Sequence, residues 1–502
     1  MIRLPFGWRL EKGEGSSERL SRPYPRAIRR SFDAAKSSNL LADWGTYPNT
    51  SDEALRNSLR SLRARARQQV DNNPYVRRFA SAVTSNVVGP RGIVLQARIK
   101  DQGKLSAAAN DAIEETWESW GRSRYCDVAG KQTWRDIQRL FLRTVAVDGE
   151  AILRMYRGKR FGPHRFAVQF IDPELLDVDK NEILADGRVI RMGVEYDFYR
   201  RPVAYWFIDS APTLDGGLQM HTGKHVRVSA DEIIHAFVIE RVNQTRGLPW
   251  LVASLFRLKM LGAYEDAALV AARVGASKMG FIYSEDGANF TGDDEDEAGS
   301  VIEDVEPGVF RQLPAGMRVE SFSPEYPRGE YSEFQKAMLR GISAGMLVSY
   351  STLSQDLEGV NYSSIRAGLL EERDQWRVLQ EWLADVLCAP VFHTWLEMQM
   401  LQKSIAVDGA PLNVEDIAQF ERVVWRGRRW DWVDPLKEMQ AAALGVEARL
   451  LTRSSVIRDR TQDDPSDVIA EMAQEDALLD SYGLLDKGED LSIPPPLEET
   501  EG

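Results

Sequence analysis

Cysteine is nearly absent: the 502 residues contain two, Cys126 and Cys388. A disulfide-stapled scaffold is excluded; two buried reduced thiols are expected, with one bridge as the alternative. Histidine is also scarce, at five. The pair in HTGKH (221–225) lacks the glutamate of H-E-x-x-H, and Gly223 favours a turn over a metal-binding helix. No G-x-x-x-x-G-K-[ST] or G-x-G-x-x-G occurs, so the phosphate-cradling loops of nucleotide-driven motors are missing. No uncharged apolar run approaches the ~20 residues of a membrane span. Even AALVAA (267–272) is fenced by Asp266 and Arg273. The opening MIRLPFGWRLEKGEG lacks the apolar stretch of a secretory signal, so a soluble protein made inside the cell is expected.

What is present is an ordinary globular mixture, 43% apolar and 28% charged, with material for several domains. Lys and Arg number 63 against 76 Asp and Glu, a formal net charge of −13. A generic nucleic-acid binder leans the other way, because neutralising phosphates supplies most non-specific affinity. The charge is uneven. Met1 to Arg30 holds 8 bases and 3 acids, while Asp463 to Gly502 holds 13 acids and one Lys.

Along the chain, residues 1–50 read as a flexible basic arm. A helical pattern starts at Ser51, with Leu55, Leu59 and Leu62 on one face. Arg60, Arg63, Arg65 and Arg67 lie between, expected as a solvated basic face. After Asn73-Pro74 a second helix carries Tyr75, Phe79, Val83 and Val87 and ends at Gly89-Pro90. Between residues 149 and 237 short strand-like runs appear: AILRMY, FAVQFI, VAYWFI and EIIHAF, expected to pair largely antiparallel. Helical periodicity returns at Pro249 to about Lys278 and at Tyr331 to Met346. It returns again from Tyr362 to about Gln402, where Pro390 should kink it. Glu285 to Glu306, between the first two, holds ten acids and no base.

Three constellations invite chemistry. GISAG (341–345) matches the G-x-S-x-G nucleophile elbow, which needs a strand before Ser343 and a helix after it. Here it sits inside a helical pattern, so small residues on a closely packed helix are favoured. DDEDEAG (293–299) fails as a calcium loop, because Ala298 and Val305 fall where ligands are required. Neither it nor HTGKH supports a metal site, and no cofactor is implied. The sequence presents no catalytic constellation.

The order of these segments resembles the portal proteins of tailed bacteriophages, specifically the lambda-type family. The resemblance is carried by NNPYVRRFASAVTSNVVGPRGIVLQAR (72–98), DGEAILRMY (148–156), VQFIDPELL (168–176) and ADEIIHAFVIERVNQTRGLPWL (230–251). It continues in YEDAALVAARVGASKMGF (264–281), PEYPRGEYSEFQKAMLRGISAGMLVSYSTLSQD (324–356) and GVNYSSIRAGLLEERDQW (359–376). One departure is Arg200-Arg201-Pro202, where Gly-Arg-Pro is expected.

The resemblance implies an α+β, portal-type subunit with a mixed α/β wing (51–248, resumed at 363–433), a two-helix stem (249–279 and 330–347) and an α/β clip (280–329). A tunnel loop (348–362), a long kinked helix, a helical crown (434–485) and an acidic Pro-containing tail (486–502) complete it. It implies a non-enzymatic virion protein, assembled in the host cytoplasm into a ring of about twelve copies at one capsid vertex. Its partners would be the terminase packaging motor, the head–tail connector, the major capsid and scaffold proteins, and double-stranded DNA passing without sequence specificity; no membrane is involved.

Tyr350, Ser351, Leu353, Gln355, Asp356, Glu358 and Asn361 would border the DNA path in a mobile loop. Lys336 and Arg340, four apart on the preceding helix, would be phosphate contacts, with ion pairs to Glu333 or a neighbouring subunit as the alternative. Glu285, Asp286, Asp293, Asp294, Glu295, Asp296 and Glu297 would dock the motor or connector. The competing readings are an acidic cytosolic serine hydrolase using Ser343, or a non-portal virion scaffold protein.

Overall fold

The computed structural model describes residues 49–482 apart from 102–103, 210, 213–217, 220–223, 277–279, 285–293, 296–300, 303–316, 322–329, 359–361, 408, 431–433 and 462. The chain divides into a unit at Met1–Thr50 and a second at Ser51–Gly502, to which everything below refers. The expected basic arm and acidic tail lie outside the described residues, as does most of 280–329.

The unit opens with α1 (Ser51–Arg56), α2 (Leu59–Asn72) and α3 (Pro74–Val87). Asn73 Oδ1 accepts from the backbone N–H of Tyr75 and of Val76, and Pro74 needs no partner at the first helical position, so α3 begins where the sequence implies. It buries Phe79, Val83 and Val87.

The arginines of α2 are only in part the solvated face expected of them: Arg60 and Arg65 are exposed, Arg67 is half-buried and Arg63 is buried. Arg63 is 1% exposed, and its guanidinium reaches Glu150 at 2.9 Å and Glu174 at 2.8 Å. Arg67 pairs with Asp148 and Asp172, and Arg60 with Asp177 and Asp179. The acids arrive from a segment some hundred residues away, which a helical-wheel argument does not see.

Next come β1 (Val94–Ala97), α4 (Ala107–Trp120) and α5 (Trp134–Asp148). A capping box between Thr133 and Asp136 starts α5; Gly149, at φ 90°, ends it in the left-handed conformation that favours glycine. The strands follow: β2 (Ala151–Arg157), β3 (Phe166–Ile171), β4 (Glu182–Ile183), β5 (Val189–Arg191), β6 (Val194–Tyr196), β7 (Pro202–Ile208), β8 (His225–Ser229) and β9 (Ile233–Ala236).

They form a three-stranded sheet, β9-β2-β3, and a five-stranded sheet, β8-β7-β6-β5-β4, whose ladders are antiparallel as expected. In the β6–β7 turn Arg200 keeps φ 63°, the conformation a glycine would favour there. Asp197 accepts from the N–H of Arg200 and of Arg201.

Then come α6 (Val252–Ala276), an antiparallel pair of strands, β10 (Gly280–Ser284) and β11 (Met317–Ser321), α7 (Glu330–Gly345), the short α8 (Tyr350–Ser354) and α9 (Tyr362–Leu383). A five-residue π turn, Ala384–Cys388, joins α9 to α10 (Ala389–Gln402). The interruption expected at Pro390 therefore takes this form. Proline in the first turn of α10 offers no N–H, and the wider turn accommodates the missing bond. After β12 (Val423–Arg426), paired with β1, come α11 (Pro435–Glu447), α12 (Arg453–Arg460) and α13 (Pro465–Ser481).

The main core lies between α2–α5, α9–α10 and one face of the three-stranded sheet. Trp117 is at its centre, 4.7 to 5.7 Å from the rings of Trp120, Trp134, Phe392 and Trp395. The pleat of β2 divides its side chains: Leu153 and Met155 join that core, while Ile152 packs with Val194, Tyr205, Phe207 and Val228 of the other sheet. Cys126 and Cys388 are buried free thiols. Among the described residues no helix is long and apolar enough to cross a membrane.

Candidate functional site

Helices α6 and α7 pack on each other, and their contact explains GISAG. Leu255, Leu258 and Leu261 of α6 and Leu339, Ile342 and Met346 of the α7 segment are all buried in the main core. Ser254 Oγ donates to the Ile342 carbonyl at 2.9 Å. A Cβ at position 345 would overlap that hydroxyl, and one at 341 the Arg257 guanidinium. Ser343, 4% exposed, turns its hydroxyl back to the Arg340 carbonyl at 2.9 Å. It lies within α7 and not at a strand-to-helix turn, and the four described histidines bond to Gln399, Asp177, Glu150 and Glu421. The pentapeptide is a helix contact. Further along, Tyr264 stacks on Tyr331 and meets Phe334, and Gln335 donates to Glu265 and to Tyr75.

Beyond α7 the chain reverses at Leu347, in the left-handed region at φ 56°. Ser349 Oγ then accepts from the Thr352 N–H at 3.1 Å and caps α8. Glu372 of α9, 6% exposed, accepts from the Ser349 N–H at 3.0 Å and from the Thr352 hydroxyl at 2.8 Å. Arg78 of α3 donates to the Thr352 carbonyl at 3.2 Å. Leu353 is 2% exposed and packs in the main core, so its side chain is not on a surface where a duplex could rest. This half of the segment is folded and anchored on three helices.

Its far half carries charge. Tyr350 donates to Asp356 Oδ2 at 2.8 Å, and Asp356 Oδ1 accepts from the Glu358 N–H at 3.0 Å. The Arg340 guanidinium carbon lies 5.6 Å from the centroid of the Tyr350 ring. Lys336 Nζ is 3.7 Å from Glu358 Oε2, so the cation pairs with the loop rather than with Glu333. The Glu358 backbone N–H, the Tyr350 hydroxyl, Lys336 and Arg340 hold the Asp356 carboxyl below its usual value; burial first, and then Asp356, raise that of Tyr350. Ser351 lies near Ser349, and Gln355, exposed at φ 58°, donates to the Thr352 carbonyl. Asn361 lies outside the described residues.

The acidic set is less visible. Asp294 and Glu295 form a two-residue strand paired with 301–302; Glu285, Asp286, Asp293, Asp296 and Glu297 lie outside the described residues.

Sequence reasoning missed the charge centre that sets the entry to α6. Glu150, wholly buried, receives Arg63 Nη2 at 2.9 Å, Arg246 Nε at 2.8 Å and the Gly247 N–H at 2.9 Å, with His235 Nε2 at 3.0 Å. Burial alone would raise its pKa; Arg246, then His235 and Arg63, overcome that and hold it well below the usual carboxylate range. Arg246 also donates to the carbonyls of Leu176 and Met192, at 3.0 and 2.9 Å. Gly149 leaves room for Leu248 and Pro249, which a Cβ would overlap. Glu150 adjoining the Asp-Gly that ends α5 was a weak signal, since nothing local marks it as buried.

Residues 37–380 match the model of a protein family described as phage portal protein, lambda family. Over 458 residues the chain is 33% identical to the probable portal protein of Halomonas phage phiHAP-1, covering 89% of this chain and 86% of that one. It is 24% identical over 474 residues to portal protein B of Escherichia phage lambda, covering 87% of each. Among solved structures, a chain of the virion of a native gene transfer agent particle is similar at TM-score 0.45 and 14% identity, over 80% of this chain and 94% of that one.

Proposed function

We propose, since this chain belongs to the lambda family of phage portal proteins, that it forms a ring at one capsid vertex through which double-stranded DNA is packaged and ejected. The observation that carries this is the family match itself, which runs unbroken through α6, α7, α8 and most of α9. In this assignment α6 and α7 are the stem and 348–362 the tunnel segment. Residues 51–248 and 363–433 form the wing, and 434–485 the crown. The segment 280–329 is the clip, whose acids dock the terminase motor and later the head–tail connector; the rim meets capsid and scaffold proteins.

The charge supports passage over grip. Each neutralised phosphate strengthens binding, with a salt slope of about −0.9 per contact. A chain of net charge −13 offers few such contacts, and Lys336 and Arg340 are the candidates beside the channel. Of the loop residues, Tyr350, Ser351, Gln355, Asp356 and Glu358 remain in the proposed channel border; Leu353, packed inward, does not.

Native mass of the purified full-length chain tests the proposal. Twelve copies of a 56.7 kDa chain give a particle of about 680 kDa with a central hole in electron micrographs. A monomer or dimer at micromolar concentration would overturn it.

A further inference from the structure

Lys336 and Arg340 lie one turn apart on α7, and the far half of the loop brings the Glu358 carboxylate to Lys336 and the hydrogen-bonded Tyr350–Asp356 pair to Arg340. Glu358 takes Lys336, while Arg340 lies over the ring of Tyr350, whose hydroxyl donates to Asp356. Two bases and two acids leave this face without net charge. We propose that Glu358, paired with Lys336, and Asp356, held by the hydroxyl of Tyr350, whose ring Arg340 covers, are built-in competitors of DNA phosphate for these two cations, so that the channel border meets a duplex without holding it. The inference rests on the conduit assignment above and adds a regulatory role for these two acids.

These contacts are poorly suited to holding the loop itself. Glu358 is 84% exposed and its pair with Lys336 spans 3.7 Å. An exposed ion pair at that distance adds little to stability. The loop is held instead by Leu353 in the core and by Ser349 and Thr352 on Glu372. The Glu358 carboxylate is thus free to exchange, and a carboxylate and a phosphate present the same kind of acceptor to a lysine or an arginine.

A passing phosphate that takes Lys336 must first displace Glu358. The released carboxylate then faces the duplex as a like charge. A cation neutralised in advance also contributes little of the counterion release that drives DNA binding. Contacts form and break cheaply, which is what a sliding polymer requires.

The test uses assembled full-length rings and a fluorescent mixed-sequence DNA duplex titrated at several salt concentrations. Glu358→Gln alone, at an exposed site, is expected to tighten binding measurably, and Asp356→Asn with Glu358→Gln by about tenfold at low salt. The salt slope should steepen by up to ~0.9 for each uncovered cation engaging a phosphate. Adding Lys336→Gln and Arg340→Gln should return affinity and slope to the wild-type values or below. Wild-type affinity and slope in rings of the acid variants would overturn the inference, as would a gain that survives removal of the two cations. A wild-type chain that forms no ring removes the conduit assignment and this inference with it; rings indifferent to the acid variants remove this inference alone.

Discussion

Ser254 Oγ stands in the space that a side chain at Gly345 would occupy, and from there donates to the Ile342 carbonyl at 2.9 Å. One hydroxyl and one missing Cβ thereby set how closely α6 and α7 approach. The motif that looks like a nucleophile elbow is a packing device: Gly345 is met by the buried Ser254, whereas Gly341 faces only the flexible end of Arg257.

The two helices therefore respond oppositely to the same substitution. Gly345→Ala must push α6 and α7 apart and is expected to destabilise by about 1–3 kcal/mol. Gly262, on α6, has nothing within 4 Å of where its Cβ would be, so Gly262→Ala should stabilise by up to ~1 kcal/mol through helix propensity. Urea midpoints at one protein concentration read both, and a stabilising Gly345→Ala would disprove the close contact.

Glu150 predicts an acid-sensitive fold. Its folded pKa lies below its unfolded value, so its contribution is fully present above the ordinary carboxylate range and is lost as pH falls through the folded pKa. Glu150→Gln leaves Arg246 buried without its counter-charge and Arg63 with Glu174 alone, and should cost about 3–5 kcal/mol at neutral pH. The variant's stability should also vary less between pH 5 and 2 than the wild type's. Thermal unfolding across that range is the measurement, and an unchanged acid limb would count against the centre.

Glu114 predicts the opposite slope. Burial first, then Asp467, Asp111 and Asp464, push its carboxyl up to about 7, against the Ala97 N–H that it accepts at 2.6 Å. An acid raised on folding favours the folded state while protonated, so stability should drain as pH rises from about 4.5 through 7. Glu114→Gln, which keeps an acceptor for Ala97, should gain on the order of 1 kcal/mol at pH 8, after discount for partial solvent exposure, and nothing at pH 5. Equal effects at both pH values would refute the assignment.

Arg200 occupies a glycine conformation at φ 63°. The left-handed region costs a residue with a Cβ about 1–2 kcal/mol, and glycine's extra freedom when unfolded returns 0.5–1 of it. Arg200→Gly is therefore expected to raise the urea midpoint, by a net ~0.5–1 kcal/mol. A lower midpoint would show that the arginine side chain supports the turn.

Much of this architecture was legible because its causes are local. Asn73-Pro74 announces α3, the Thr133–Asp136 box announces α5, and alternating apolar residues announce β2, β3 and β7. The order of these elements carried the family. Within the loop, local chemistry showed a polar, small-residue connection but not that Ser349 would cap a helix inside it, because Glu372, which holds that helix, is 23 residues away.

The arginines of α2 mark the boundary most clearly. By sequence Arg60, Arg63 and Arg67 are alike: cations at helical spacing among leucines. Only the tertiary structure decided that Arg63 goes inside, because the carboxylate that makes its burial affordable, Glu150, lies 87 residues further on. The same holds for Leu353 and Tyr350, three residues apart: the core took Leu353 whole and left Tyr350 half-buried at its edge, under Arg340. Periodicity is written within a few residues and survives in the sequence. A buried charge or an inward-facing side chain depends on which distant partner arrives, and that is settled only when the chain closes on itself.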